Sequence, residues 1–221
     1  MKQGIVLVNK PNGITSHDVV QHVRRKFNFR RVGHAGTLDP LATGVLVILL
    51  GESTKLFRNF VGLDKAYRAT LILGTTTNSA DIEGEVIKKL PYEHVTSEQI
   101  ENVFSRFVGE ISQVPPMFSA VKMKGKKLYQ LARKGIQVER EPRQVRVDCL
   151  KVEDICFPEV KFYLECSKGT YVRQLAEDIG RDLGCRACIS QIERVKVGTF
   201  DIKDTVKLED LNESHIRHWE G

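Results

Sequence analysis

The chain has 221 residues, 41% of them apolar, and carries 34 lysines and arginines against 28 acidic residues, a net charge of +6. This length suits one large domain, or one domain with a small appendage, and a core that forms without covalent staples. The longest apolar run near the start, IVLV, is far too short for a signal-peptide core or a membrane span, so a cytoplasmic protein with no membrane association is expected. The positive balance fits a polyanionic partner, either nucleic acid or an anionic membrane surface, or an ordinary solvated surface.

Ile5 to Val8 predicts a short strand. It leads into NKPNGITSHDVVQHVRRKF, where Ser16 is placed to cap a helix with Val19, Val20, Val23 and Phe27 on one face. The opposite face holds Arg24, Arg25 and Lys26, and the basic stretch runs on into Arg30 and Arg31. GHAGTLDPLATG, residues 33–44, then precedes the apolar run VLVILL. In KAYRATLILG the alternation predicts a strand with Tyr67, Ala69, Leu71 and Leu73 on its apolar side. Thr96 and Gln99 form a capping-box pattern ahead of Ile100, Val103, Phe104 and Phe107, with Gly109 as the stop. SAVKMKGKKLYQLARKG, which contains Lys122 and Lys124, reads as a basic loop and short helix. Val160, Phe162, Leu164 and Cys166 alternate as a strand. Thr170 is placed to cap a helix bearing Val172, Leu175, Ile179 and Leu183, which Gly184 ends. Strands outnumber helices and cluster unevenly, so the expected fold is an α+β domain on a mixed, largely antiparallel sheet.

Several residues invite a chemical reading. Pro40 drives Asp39 into an extended conformation, and Gly33, Gly36 and Gly44 permit bends and close backbone approach. The loop thus either displays a carboxylate or merely starts a turn. Arg173, in CSKGTYVRQLAEDIG, falls in the first turn of a helix, where the macrodipole disfavours a cation. That placement points to a specific carboxylate partner or to a local pair with Glu177. Tyr67 is either a core tyrosine or a pocket residue offering a ring face and a proton-transfer group. His34 is either a surface histidine or a stacking group that reaches into an opened nucleic-acid helix. NGITSHD could bind a phosphate at its helix start. No nucleotide loop, dinucleotide fingerprint or serine-hydrolase elbow is present. The five cysteines, all between Cys149 and Cys188, are odd in number and read as core thiols. Cys185 and Cys188 have zinc-ligand spacing but lack a second pair, and His215 and His218 are too close together to supply one. No metal or cofactor is expected.

Five ordered stretches together resemble the TruB family of tRNA pseudouridine-55 synthases: NKPNGITSHDVV, GHAGTLDPLATGVLVILLGESTKL, KAYRATLILGTTTNSADIEGE, QVPPMFSAVKMKGKKLYQLARKG and CSKGTYVRQLAEDIGRDLG. The resemblance implies the pseudouridine-synthase fold, a bent mixed sheet with surrounding helices and a central cleft. It implies isomerisation of a T-loop uridine through an aspartate nucleophile, which falls on Asp39, with Tyr67 and Arg173 as further catalytic groups. Arg173 is expected to keep Asp39 ionised and oriented. The family's stack-filling histidine falls on His34, Asp81 matches a polar residue near the base, and Tyr171, beside the arginine, is expected to bind the substrate. Ile192, in QIERV, stands where the family usually has leucine, and so keeps the apolar wall. Arg30, Arg31, Lys122 and Lys124 are expected to contact RNA, and the glycines of the Asp39 loop to admit its backbone. The expected partner is the tRNA T-arm stem-loop, engaged by a monomer with no obligatory protein partner. The whole of 1–221 is expected to be the catalytic domain, with no separate C-terminal RNA-binding domain. The rival readings are a related isomerase acting on ribosomal or guide-selected RNA, and a non-catalytic tRNA-binding or folding protein.

Overall fold

The computed structural model describes residues 3–119, 121–123, 125–132 and 134–219. In chain order the elements are β1 (Gln3–Lys10), α1 (Ser16–Phe27), β2 (Val32–Ala35), β3 (Thr43–Gly51), α2 (Phe57–Val61), β4 (Lys65–Leu73), β5 (Thr75–Thr77), β6 (Val86–Lys89), α3 (Ser97–Arg106) and β7 (Gly109–Gln113). They continue with β8 (Lys122–Met123), β9 (Lys126–Lys127), α4 (Leu128–Ala132), β10 (Arg143–Cys156), β11 (Glu159–Cys166), α5 (Val172–Asp182), β12 (Ala187–Val197), β13 (Phe200–Asp201) and β14 (Val206–Lys207). They form two compact units, residues 1–68 with 191–221, and residues 69–190.

In the first unit the strand order is β14-β1-β3-β12, with β2 added on β3 and β13 on β12. β1 and β3 run antiparallel, Ile5 opposite Leu49 and Val8 opposite Leu46, whereas β1–β14 and β12–β3 are parallel. VLVILL is continuously apolar because β3 is buried on both faces. Leu46, Ile48 and Leu50 join Val6, Val8 and the α1 residues Val19, Val20 and Val23 in one cluster. Val45, Val47 and Leu49 join Ile5, Leu7 and Phe60 in the other. Either face would lose about 2–5 kcal/mol on truncation of one such leucine to alanine.

Helix α1 is capped by Thr15 rather than by the expected Ser16. Thr15 Oγ1 accepts from the Asp18 N–H at 3.1 Å, and the Asp18 carboxylate accepts from the Thr15 N–H at 2.8 Å. Ser16 is thereby the first helical residue, and its hydroxyl is committed elsewhere.

In the second unit β10 lies between β11 and β7, antiparallel to both. Val160, Phe162, Leu164 and Cys166 of β11 are buried as the alternation predicts. The Phe162 ring meets Phe104 of α3 edge-on, with centroids 5.6 Å apart. The Thr96–Gln99 capping box that starts α3 is present on both sides. The residue before α5 is Tyr171 rather than the expected cap Thr170, whose hydroxyl donates to the Ser167 carbonyl at 3.0 Å. Gln113 takes over part of the capping: its Oε1 accepts from the Tyr171 N–H at 2.8 Å, and its Nε2 donates to the Tyr171 carbonyl at 3.1 Å. The α+β class and the largely antiparallel sheet pairing are as expected from the sequence.

Candidate active site

The first unit builds a cradle around Asp39 from the stretch Lys10–Ser16. Ser16 Oγ accepts from the Leu38 N–H at 2.8 Å and donates to the Leu38 carbonyl at 3.0 Å. Lys10 is fully buried, and its Nζ donates to the carbonyls of Pro11, Ile14 and Pro40 at 2.8, 2.7 and 3.2 Å. The Gly13 N–H reaches the same Pro40 carbonyl at 2.9 Å, and Asn12 Nδ2 donates to the Leu41 carbonyl at 2.9 Å. Asp39 contributes a turn of its own, its carbonyl accepting from the Ala42 N–H at 3.1 Å. Residues 38–41 are therefore fixed through their backbone, and the Asp39 side chain they carry is half-buried. NGITSHD is a loop clamp here, since the Thr15–Asp18 box occupies the helix start that could have bound phosphate.

Arg194, which sequence reasoning passed over while reading Ile192 two residues before it, explains one of the glycines. It is 1% exposed and pairs with Gly44 in the parallel β12–β3 ladder. A Cβ on Gly44, at φ +98°, would lie 2.3 Å from the Arg194 carbonyl oxygen; a Cβ on Gly36, at φ +88°, would lie 3.4 Å from its Nη1. Gly44 thus makes room for the Arg194 backbone, whereas a Cβ on Gly36 would meet the guanidinium at ordinary contact distance. Its Nε donates to the Val45 carbonyl at 2.8 Å and Nη2 to the Gly36 carbonyl at 3.0 Å, and the side chain also hydrogen-bonds the Tyr67 hydroxyl. Burial pulls the Arg194 guanidinium below its usual range, opposed by Tyr67.

Tyr67 lies on β4, 8% exposed. His34 lies on β2, half-buried, with its Nδ1 buried and without a hydrogen-bond partner. Burial pushes the His34 imidazole below its ordinary 6.5, and the positive Arg194 and His17 push the same way. A neutral ring suits stacking better than phosphate pairing. Ile192 packs at the edge of the cluster containing Leu38 and Ala42, as an apolar wall. Arg30 and Arg31 are exposed and, with Phe27, Phe29 and Glu52, line a surface depression; Arg31 pairs with Glu52 at 3.3 Å.

In the second unit Arg173 has a carboxylate partner outside α5, Asp81. Arg173 Nη1 lies 3.4 Å from Asp81 Oδ2, with both side chains 7% exposed. Nη1 also donates to the Ser79 carbonyl at 2.6 Å, and Nη2 to the Phe118 carbonyl at 2.8 Å. Glu177 accepts from Gln174 instead, at 3.3 Å. The other oxygen of Asp81 accepts from Ser79 Oγ at 2.7 Å and from the Glu83 N–H at 3.2 Å. Tyr171 is half-buried beside Arg173 in sequence, its backbone gripped by Gln113. Lys122 lies in β8 with its side chain undescribed, and Lys124 lies outside the described residues.

Cys166, Cys185 and Cys188 are buried thiols, and burial, with Asp81 nearby, pushes Cys188 up to about 11, too high for a thiolate at neutral pH. Among the described residues no group of three or more His, Cys, Asp or Glu side chains is placed to hold a metal ion, and no helix is long and apolar enough to cross a membrane.

Residues 24–172 match the TruB family pseudouridylate synthase N-terminal domain, and residues 173–220 match the tRNA pseudouridylate synthase B C-terminal domain. The chain is 46% identical to tRNA pseudouridine synthase B of Clostridium tetani over 98% of its own length and 75% of that protein's. It is 45% identical to the protein of the same name from Opitutus terrae, over 94% of this chain and 86% of that one. Among solved structures, a Cbf5-Nop10-Gar1 complex contains a chain that superposes with a TM-score of 0.75 at 31% identity. An archaeal box H/ACA sRNP Nop10-Cbf5 complex contains another, with a TM-score of 0.72 at 26% identity. The match covers 95% and 97% of this chain but only 54% of each of those, so the chain spans about half their length. With a family match over most of its residues and relatives of this identity along nearly its whole length, the chain belongs to the TruB family of pseudouridylate synthases.

Proposed function

We propose that this chain isomerises the T-loop uridine of tRNA, position 55, to pseudouridine, with Asp39 as the nucleophile, Arg173 as the catalytic arginine and Tyr67 as the residue that holds the base. The observation that carries the reading is the cradle of Asp39. A carboxylate carried on a loop whose neighbours Leu38, Pro40 and Leu41 are tied through their backbone, by Ser16, Lys10, Gly13 and Asn12, is preorganised for attack.

The reaction breaks the bond from uracil N1 to the sugar C1′, turns the base, and joins C5 to C1′. The hydrogen at C5 leaves as a proton, and N1 regains one, so nothing is oxidised, reduced or hydrolysed and no cofactor is required. One carboxylate suffices because, unlike a glycosidase, the enzyme has no water to activate. The Tyr67 ring offers a face against which uracil turns, and its hydroxyl a group to assist loss of the C5 proton. The target base must be flipped out of a folded loop, at a cost of a few kcal/mol. The neutral imidazole of His34 is suited to fill the vacated stack, Ile192 to wall the base, and Arg30, Arg31, Lys122 and Lys124 to meet the phosphates. Asp81 acts through Arg173, and Tyr171 through the helix start that presents it.

In this reading 1–221 works as one catalytic domain, as a cytoplasmic monomer, on the T-arm and without a protein partner. The likeness to chains solved in Cbf5 complexes favours one other reading, an isomerase directed to its RNA by partners. Incubating the purified chain with unmodified tRNA tritiated at uracil C5, scoring tritium release and mapping the product, decides between them. Release from the T-loop uridine alone supports the proposal; no release until protein or RNA partners are added supports the other.

A further inference from the structure

Burying a guanidinium costs several kcal/mol even when it is well paired, and an apolar side chain would fill the same volume more cheaply. Arg194 is nonetheless 1% exposed, and its acceptors are not scattered. Two are carbonyls on either side of Asp39, Gly36 before it and Val45 after it, and the third is the Tyr67 hydroxyl. Gly44 lacks the Cβ that would collide with the backbone carrying this arginine, and Gly36 lies in contact with its Nη1. A guanidinium only donates, so the Tyr67 oxygen accepts there.

We propose that Arg194 is a positioning residue of the reaction, its guanidinium locking the Tyr67 hydroxyl rotor and the two shoulders of the Asp39 loop into one register. The inference rests on the proposed function, in which Tyr67 and Asp39 meet the uridine. Lysine keeps the charge but cannot span three acceptors in a planar fork.

The test pairs kinetics with a signal that needs no RNA. The five tyrosines are labelled as 3-fluorotyrosine, and the fluorine resonance of Tyr67 is assigned from its loss in Tyr67→Phe. In Arg194→Lys that resonance should move, kcat for tRNA should fall on the order of 10²-fold, and KM should stay within about threefold. An unmoved Tyr67 signal, or a kcat within about twofold of the parent, overturns the inference. Should Arg194→Lys fail to fold, the reciprocal measurement decides: in Tyr67→Phe the Arg194 side-chain N–H groups should exchange faster with solvent, and unchanged exchange overturns it. An unaltered protein inactive on every RNA overturns the proposed function and this inference together, whereas an active one with normal Arg194→Lys kinetics overturns this inference alone.

Discussion

Residues 38–41 are held through their backbone by side chains from Lys10 to Ser16, whereas Arg173 is held through its guanidinium by Asp81 and by the carbonyls of Ser79 and Phe118. In the first case the clamp closes on backbone groups. In the second the Arg173 side chain is itself the knot. Substitution at Asp39 should therefore disturb stability less than substitution at Arg173.

The largest effect is expected at Asp39. Asp39→Asn should reduce tritium release to background while tRNA binding and the melting temperature stay close to the parent's. Substantial turnover would remove Asp39 from the chemistry, and a collapse in stability would show that its carboxylate serves the fold. Arg173→Lys should lose activity on the order of 10²-fold, because one ammonium cannot satisfy two carbonyls and a carboxylate from a planar fork. Unlike Asp39→Asn, it should also lower the melting temperature; an unchanged melting temperature with full activity would undo the contrast. Two glycines, one in the Asp39 loop and one in its clamp, sharpen it further. Gly44→Ala would place a Cβ 2.3 Å from the Arg194 carbonyl oxygen at φ +98°, whereas Gly13, at φ +84°, has nothing within 4 Å of the added carbon. The first should cost about 3 kcal/mol in denaturant unfolding and the second about 1 kcal/mol. Equal costs would mean that backbone conformation alone, and not the close approach of the β12 backbone at residue 194, requires Gly44.

What was legible in the sequence was local. Asp-Pro between glycines, the Thr96–Gln99 box and the alternation of Val160, Phe162, Leu164 and Cys166 all act over a few residues, and all appear in the structure. The adjacent hydroxyls of Thr15 and Ser16 left the cap of α1 ambiguous, although Asp18, three residues after Thr15, was the available signal. The cap of α5 was not legible, because Gln113 supplies it from 58 residues away. Asp81 stands as far out of sight of Arg173, so the misplaced cation could be noticed but its partner not named. Arg194 was hidden for the same reason: a charge inside QIERV looks like a strand's wet face until β12 is laid beside β3.

The smallest expected effect concerns the exposed rim. Arg30 and Arg31 lie outside both knots, so neutralising them together should leave the chemical step intact and reduce the salt slope of tRNA binding by about 1.5 to 2. An unchanged slope would place the phosphates elsewhere.

The central claim is that recognition of the uridine and the chemistry on it both reside in this chain, and a minimal RNA tests it most directly. The purified protein, alone and in the presence of a strong chelator, is incubated with a T-arm stem-loop and, in parallel, with whole tRNA, each tritiated at uracil C5. The account predicts tritium release from both, with pseudouridine mapped to the same T-loop uridine. A stem-loop that stays inert while whole tRNA reacts, or modification at a different uridine, would contradict it.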